Sequence, residues 1–182
     1  MTKKCITLGL LFALLSLSVS LQAQIVGVHT NALGWVTATP NIGLEVAFAK
    51  NWSIEVDGGF NPFSFNNGKK TNLYAIQSEV KFWPHYKFTG HFIGIHGHYA
   101  AYDWGLWKYR YKGDLGGCGI SYGYSWIIHK RWNVEATIGA GWNLIRTEQK
   151  YDRCDPKICY GPDVHGHWGL TKIGVKFTYL IK

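Results

Sequence analysis

Histidines at alternating positions are the first residues in this chain whose type and spacing could do chemistry. His96 and His98 stand two apart, and side chains two apart on a strand share a face. Such a pair could chelate a metal such as zinc, with Glu79 or Glu135 completing the set. The same four residues also read as neutral histidines hydrogen-bonded to carboxylates, and that is the expectation adopted. His165-Gly166-His167 repeats the spacing beside a stretch holding Cys154 and Cys159; it is read as an ordinary polar loop. No metal and no cofactor is therefore assigned. Ser64 and Ser125 have no histidine at an obvious strand spacing, and no glycine-rich phosphate cradle opens a helix. No catalytic residue is assigned, and the chain is read as a non-enzyme. Cys154 and Cys159 lie close in one loop. In an exported protein they are expected to form a local disulfide. Cys118 is expected to be a buried free thiol.

A second group of residues matters through its charge. Glu45, Glu55, Asp57, Glu79 and Glu135 are acids, and Lys81, Lys172 and Lys176 are bases. Each falls on the side of its segment opposite the large apolar residues. With His96 and His98 they are expected to form a polar network inside a narrow barrel, where buried charge must be paired to repay desolvation.

The elements that must position these residues follow from one hairpin, Gly116 to Ile145. Cys118, Ile120, Tyr122, Tyr124, Trp126 and Ile128 share one face; Gly117, Gly119, Ser121, Gly123 and Ser125 share the other. After His129-Lys130-Arg131, the run Trp132 to Leu144 repeats the alternation. Period-two patterning means strands. A small-residue face opposite an aromatic-rich one fits a barrel whose lumen is tight and whose outer face is apolar. Six further stretches complete an eight-stranded antiparallel up-and-down transmembrane barrel with the hairpin arms as the sixth and seventh strands. They include Ile25 to Val36, Pro40 to Lys50, a third strand from Trp52, Thr71 to Trp83, Gly90 to Trp104, and Trp168 to Ile181. The connections expected to be long are Asn61 to Lys70, Gly105 to Leu115 and Glu148 to His167, whereas Thr37 to Thr39 is expected to be short.

Compartment is read from the start of the chain. Lys3 and Lys4 precede an apolar run from Ile6 to Val19, and Leu21-Gln22-Ala23 offers a cleavage site. Residues 1–23 are therefore expected to be a signal peptide and residues 24–182 the barrel. The apolar run is shorter than the roughly 20 residues a spanning helix needs. Nine Trp, eleven Tyr and nine Phe among 182 residues suit interfacial girdles. The chain carries a net charge of +8. Part of that excess lies in segments read as external loops: Lys108, Arg110 and Lys112 among aromatics, then Lys150, Arg153 and Lys157. Their expected contacts are lipopolysaccharide phosphates. The expected location is the outer membrane, with lipid and a surface protein as partners, a monomer, and no nucleic acid.

The sequence also resembles a family: the small outer-membrane β-barrel proteins of unknown function found in Gram-negative anaerobes. The resemblance rests on Thr30-Asn31-Ala32-Leu33, Thr39-Pro40-Asn41-Ile42-Gly43-Leu44-Glu45 and Asn51-Trp52-Ser53 leading to Asn61-Pro62. It continues in Phe92-Ile93-Gly94-Ile95-His96, Gly119-Ile120-Ser121-Tyr122-Gly123-Tyr124 and Arg131-Trp132-Asn133-Val134-Glu135. It implies the fold and location given above, no catalytic residues, and an association with surface fimbriae. The expected role is structural or interactional, with a narrow pore for small solutes and a lipid A-modifying enzyme as alternatives.

Overall fold

A computed structural model describes residues 25–65, 69–105, 109–152, 159–160 and 162–181. The chain forms eight principal strands that close into an antiparallel up-and-down barrel. They are β1 (Val26–Asn31), β2 (Asn41–Ala47), β3 (Trp52–Asn61), β4 (Lys69–Phe82), β5 (Gly90–Gly105), β6 (Tyr109–His129), β7 (Trp132–Asp152) and β8 (Asp163–Ile181). Two-residue strands, Ser64–Phe65 and Cys159–Tyr160, extend the ladder beside β4 and β7. Closure comes from β1 against β8, running from Val26↔Ile181 to Asn31↔Lys176.

Alternation decides which side of each strand is inside, and the outcome inverts that of a water-soluble barrel. On β6, Ser121 is 1% exposed while its neighbour Ile120 is 64% exposed. On β3, Ser53 and Glu55 are fully buried between exposed Trp52, Ile54 and Val56. The buried set is mostly polar or charged, and the outer surface is a band of Ile, Val, Leu, Tyr, Trp and Phe. Aromatic pairs border the band at the end that holds the termini, with Trp52–Phe82 rings 5.0 Å apart and Trp132–Tyr179 5.1 Å apart. At the other end Phe60 packs against Tyr74 at 4.9 Å and Trp142 against Trp168 at 5.6 Å.

Several expectations are corrected. The first strand stops at Asn31, and Ala32–Val36 is a short helix, α1. The Asn31 side chain caps it by accepting from Leu33 N at 3.1 Å. The same oxygen also accepts from Val175 N at 3.2 Å on β8. Gly34 allows this fold-back, because a Cβ there would collide with the Asn41 amide. The first connection is thus residues 32–40 rather than a short turn at 37–39. The described residues of Gly105 to Leu115 and of Glu148 to His167 are nearly all strand, not loop, because β5 to β8 run on past the expected ends. Lys112 accordingly sits on β6, at a bulge before Gly113. Cys118 is free, as expected, but exposed rather than buried, since its face of β6 is the outer one.

The end that holds the termini is stoppered from within. Residues 83–89 fold under the barrel, placing Trp83 and Phe88 in its interior beside Phe92 of β5. The Trp83 and Phe92 rings lie 4.8 Å apart. Phe88 adopts φ +63°, a left-handed conformation that costs a non-glycine residue about 1 kcal/mol. Its carbonyl accepts from Ser125 Oγ at 3.0 Å and Asn133 Nδ2 at 2.5 Å. Those bonds hold the turn in place.

Candidate functional site

Above the aromatic stopper, the lumen holds a continuous network of ion pairs. Lys81 on β4 is fully buried, and its ammonium lies 2.9 Å from Glu45 on β2, 2.6 Å from Glu55 on β3 and 2.8 Å from Glu135 on β7. The Phe92 ring packs beneath it, 4.7 Å from Nζ to the ring centre. Lys172 on β8 reaches Glu79 at 2.5 Å and Glu55 at 3.1 Å. Lys176 contacts Glu55, and also Asp57 at 3.3 Å. Glu55 is therefore the hub at which three lysines from two opposed strands meet.

Five carboxylates face three ammonium groups, so the remaining acceptor capacity must be met by neutral donors. Ser53 donates to Glu45 at 2.5 Å, Thr137 to Glu135 at 3.0 Å, and Ser121 to Glu79. His29 Nε2 lies 2.6 Å from Asp57 Oδ1. This density of contact requires that some neighbours have no side chain. At Gly94 a Cβ would collide with the Glu79 carboxylate and the Ser121 hydroxyl, and at Gly43 with His29 and Asp57.

Nearer the far end, His96 Nε2 pairs with Thr171 Oγ1 at 2.8 Å, reaching across β6 and β7 to the bulge on β8 between Leu170 and Lys172. His98 Nε2 pairs with Asn143 Oδ1 at 3.0 Å. The two rings are 6.1 Å apart, and neither contacts Glu79 or Glu135 through a hydrogen bond among those formed by Nε2. The structure thus brings Glu45, Glu55, Asp57, Glu79, Lys81, Glu135, Lys172 and Lys176 into one cluster and sets His96 and His98 in a separate layer.

Two carboxylate groupings have ligand atoms close enough to hold a metal, His29 with Glu55 and Asp57, and Glu45 with Glu55 and Glu135. Lysine ammonium groups already occupy both: Lys176 in the first, Lys81 in the second. A hard cation would have to displace a buried, paired ammonium, so these residues do not fit a metal. What the cluster can do is fill and rigidify the lumen.

Ser125 spends its hydroxyl on the Phe88 carbonyl. Arg110 and Lys150 lie on β6 and β7, but their side chains, like that of Ser64, fall outside the described residues. Lys108, Arg153, Lys157, Cys154 and the first 24 residues also lie outside them, as does the Cys154–Cys159 pairing. Sequence reasoning missed His29, Ser53, Ser121 and Thr137 as network members. The signal for His29 was present: Gly27 and His29 alternate with Val26 and Val28, and both are buried.

A protein-family model described as "Protein of unknown function (DUF3575)" matches residues 9–181. No curated protein and no solved structure gives a match. The chain belongs to that family.

Proposed function

We propose, from the premise of membership in a family that shares a barrel and no known activity, that this protein is an outer-membrane barrel acting as a structural or surface-interaction element. The observation that carries this reading is the inverted polarity: charges inside, a continuous apolar band outside. In water such an exterior would drive association, since monomers rarely expose apolar patches beyond a few hundred Å². In a bilayer it is the surface a closed barrel needs, with every ladder bond made internally. A recess of about 1110 Å³ is lined by outer-face side chains together with His29 and Asp57 at its edge with the lumen. Its lining includes Ile42, Val56, Phe60, Tyr74 and Ile76, a surface suited to hydrocarbon chains.

Residues 1–23 supply the export signal in this reading. The far-end segments carrying Lys108, Arg110, Lys112, Lys150, Arg153 and Lys157 meet lipopolysaccharide phosphates and present a surface to a fimbrial or other envelope protein. The packed lumen supports a non-conducting barrel, because a pore would require Lys81, Glu55 and the Trp83–Phe92 stopper to move aside together. The test is fractionation with heat-modifiable gel mobility. The barrel is expected in the outer-membrane fraction, shifting in apparent mass on boiling in detergent. A soluble periplasmic protein with no shift would overturn the reading. Planar-bilayer recording should be silent, and stepwise conductance would favour the pore instead.

A further inference from the structure

We propose that Asp163, His165 and His167, on the far end of β8, form a site for a borderline transition-metal ion such as Zn²⁺, Ni²⁺ or Cu²⁺. The imidazoles of His165 and His167 are the ligands, and Asp163 orients His165.

The placement follows from how the barrel closes. β1 covers the edge of β8 only as far as Lys176, and β8 continues to Asp163 with β7 as its ladder partner among the described residues. Asp163, His165 and His167 occupy alternate positions there, opposite Thr147, Ile145 and Asn143 of β7, so all three share the lumen-side face. Beyond the closed part of the wall that face is open to solvent. The His165 side chain is 54% exposed and that of Asp163 74%.

The geometry suits chelation. The His165 and His167 rings are nearly parallel, 27° between planes, with centres 6.4 Å apart. Modest side-chain rotation brings one nitrogen of each onto a common ion. His165 Nδ1 lies 3.4 Å from Asp163 Oδ2. A carboxylate on one ring nitrogen is the arrangement that fixes a metal-binding histidine and leaves the other nitrogen to the ion. Two imidazoles with water in the remaining positions favour zinc, nickel or copper over magnesium or calcium, which prefer all-oxygen sites.

The inner pair His96 and His98 is a poorer candidate for the same ion. Each has its Nε2 engaged, with Thr171 and Asn143, and its Nδ1 buried away from solvent, whereas the outer pair stands open to it.

The test is calorimetric titration of ZnCl₂ into the tag-free barrel in detergent, each variant being checked for heat-modifiable mobility. The expected result is one Zn²⁺ per barrel, with no heat from MgCl₂. His165→Ala with His167→Ala should weaken binding by at least about tenfold. Asp163→Asn should weaken it less, and His96→Ala with His98→Ala should leave it unchanged. Failure of the wild-type barrel to bind Zn²⁺, wild-type affinity in the His165/His167 variant, or loss of binding in the His96/His98 variant would each overturn the site. An Asp163→Asn affinity equal to wild type would overturn the role given to Asp163.

Discussion

Lys172 and His167 lie on the lumen-side face of the same strand, yet they live in different solvents. Lys172 and Lys176 are buried to within a few percent and held by Glu55, Glu79 and Asp57. His165 and His167 stand in water with one carboxylate beside them. The separating event is the end of β1 at Asn31, opposite Lys176. Where the wall is closed, an inward polar residue must find a partner or destabilise the barrel; where it is open, the same facing residue is free for a ligand. Inward orientation alone therefore says little about role.

Substitutions sharpen that contrast, and the largest effect is expected at the hub. Glu55→Ala removes the one carboxylate shared by three buried ammonium groups and should cost about 3–5 kcal/mol, read as a shift in the urea midpoint of the folded barrel in lipid or detergent. An effect under about 1 kcal/mol would mean that water reaches the network. Next comes the outer band. Ile95 lies midway along β5 between His91 and Tyr99 and is 69% exposed. In a bilayer Ile95→Arg should cost about 2–4 kcal/mol, whereas a surface facing water would register within about 0.5 kcal/mol. Gly94→Val drives a side chain into Glu79 and Ser121 and should cost about 1–3 kcal/mol on the same measurement. Asn31→Ala removes the cap of α1 and the acceptor for Val175 N, for about 1 kcal/mol. Smallest of all, His165→Ala with His167→Ala should leave the midpoint within about 0.5 kcal/mol. A large loss there would place those rings in the packed structure rather than at an open rim.

The fold was legible where a strand is long and its two faces differ, as along Cys118 to Leu144. Period two assigns each residue to a face without any tertiary information. The same signal was present in Tyr109-Arg110-Tyr111-Lys112, where aromatics and cations alternate. Their charge suggested a loop, but on a wall that extends past the closed barrel neither face has to be apolar. α1 was hidden for a different reason. Its five residues are set by the Asn31 cap and by Gly34 folding against Asn41, which are tertiary contacts with no helical periodicity behind them. Within the lumen, the ionisable residues could be named from alternation, but their partners could not. Which lysine meets which carboxylate depends on the stagger between strands far apart in the chain, such as Lys176 on β8 and Glu55 on β3. Serines and threonines in the network carry no sequence mark, since a hydroxyl on an inward face looks the same whether or not it meets a carboxylate.

The seam between β1 and β8 also sets the order in which the molecule can assemble. Every other ladder joins neighbours in sequence, and the β6–β7 hairpin closes across the two residues Lys130 and Arg131. The seam joins residue 26 to residue 181, so it bears the loop-closure entropy of the whole chain. Over its six rungs, the segment that completes the wall is the shortest of the eight strands and the first to be synthesised. It has to wait for the last strand, and until that strand arrives Glu55, Asp57 and Glu79 lack the lysines of β8 that they pair with.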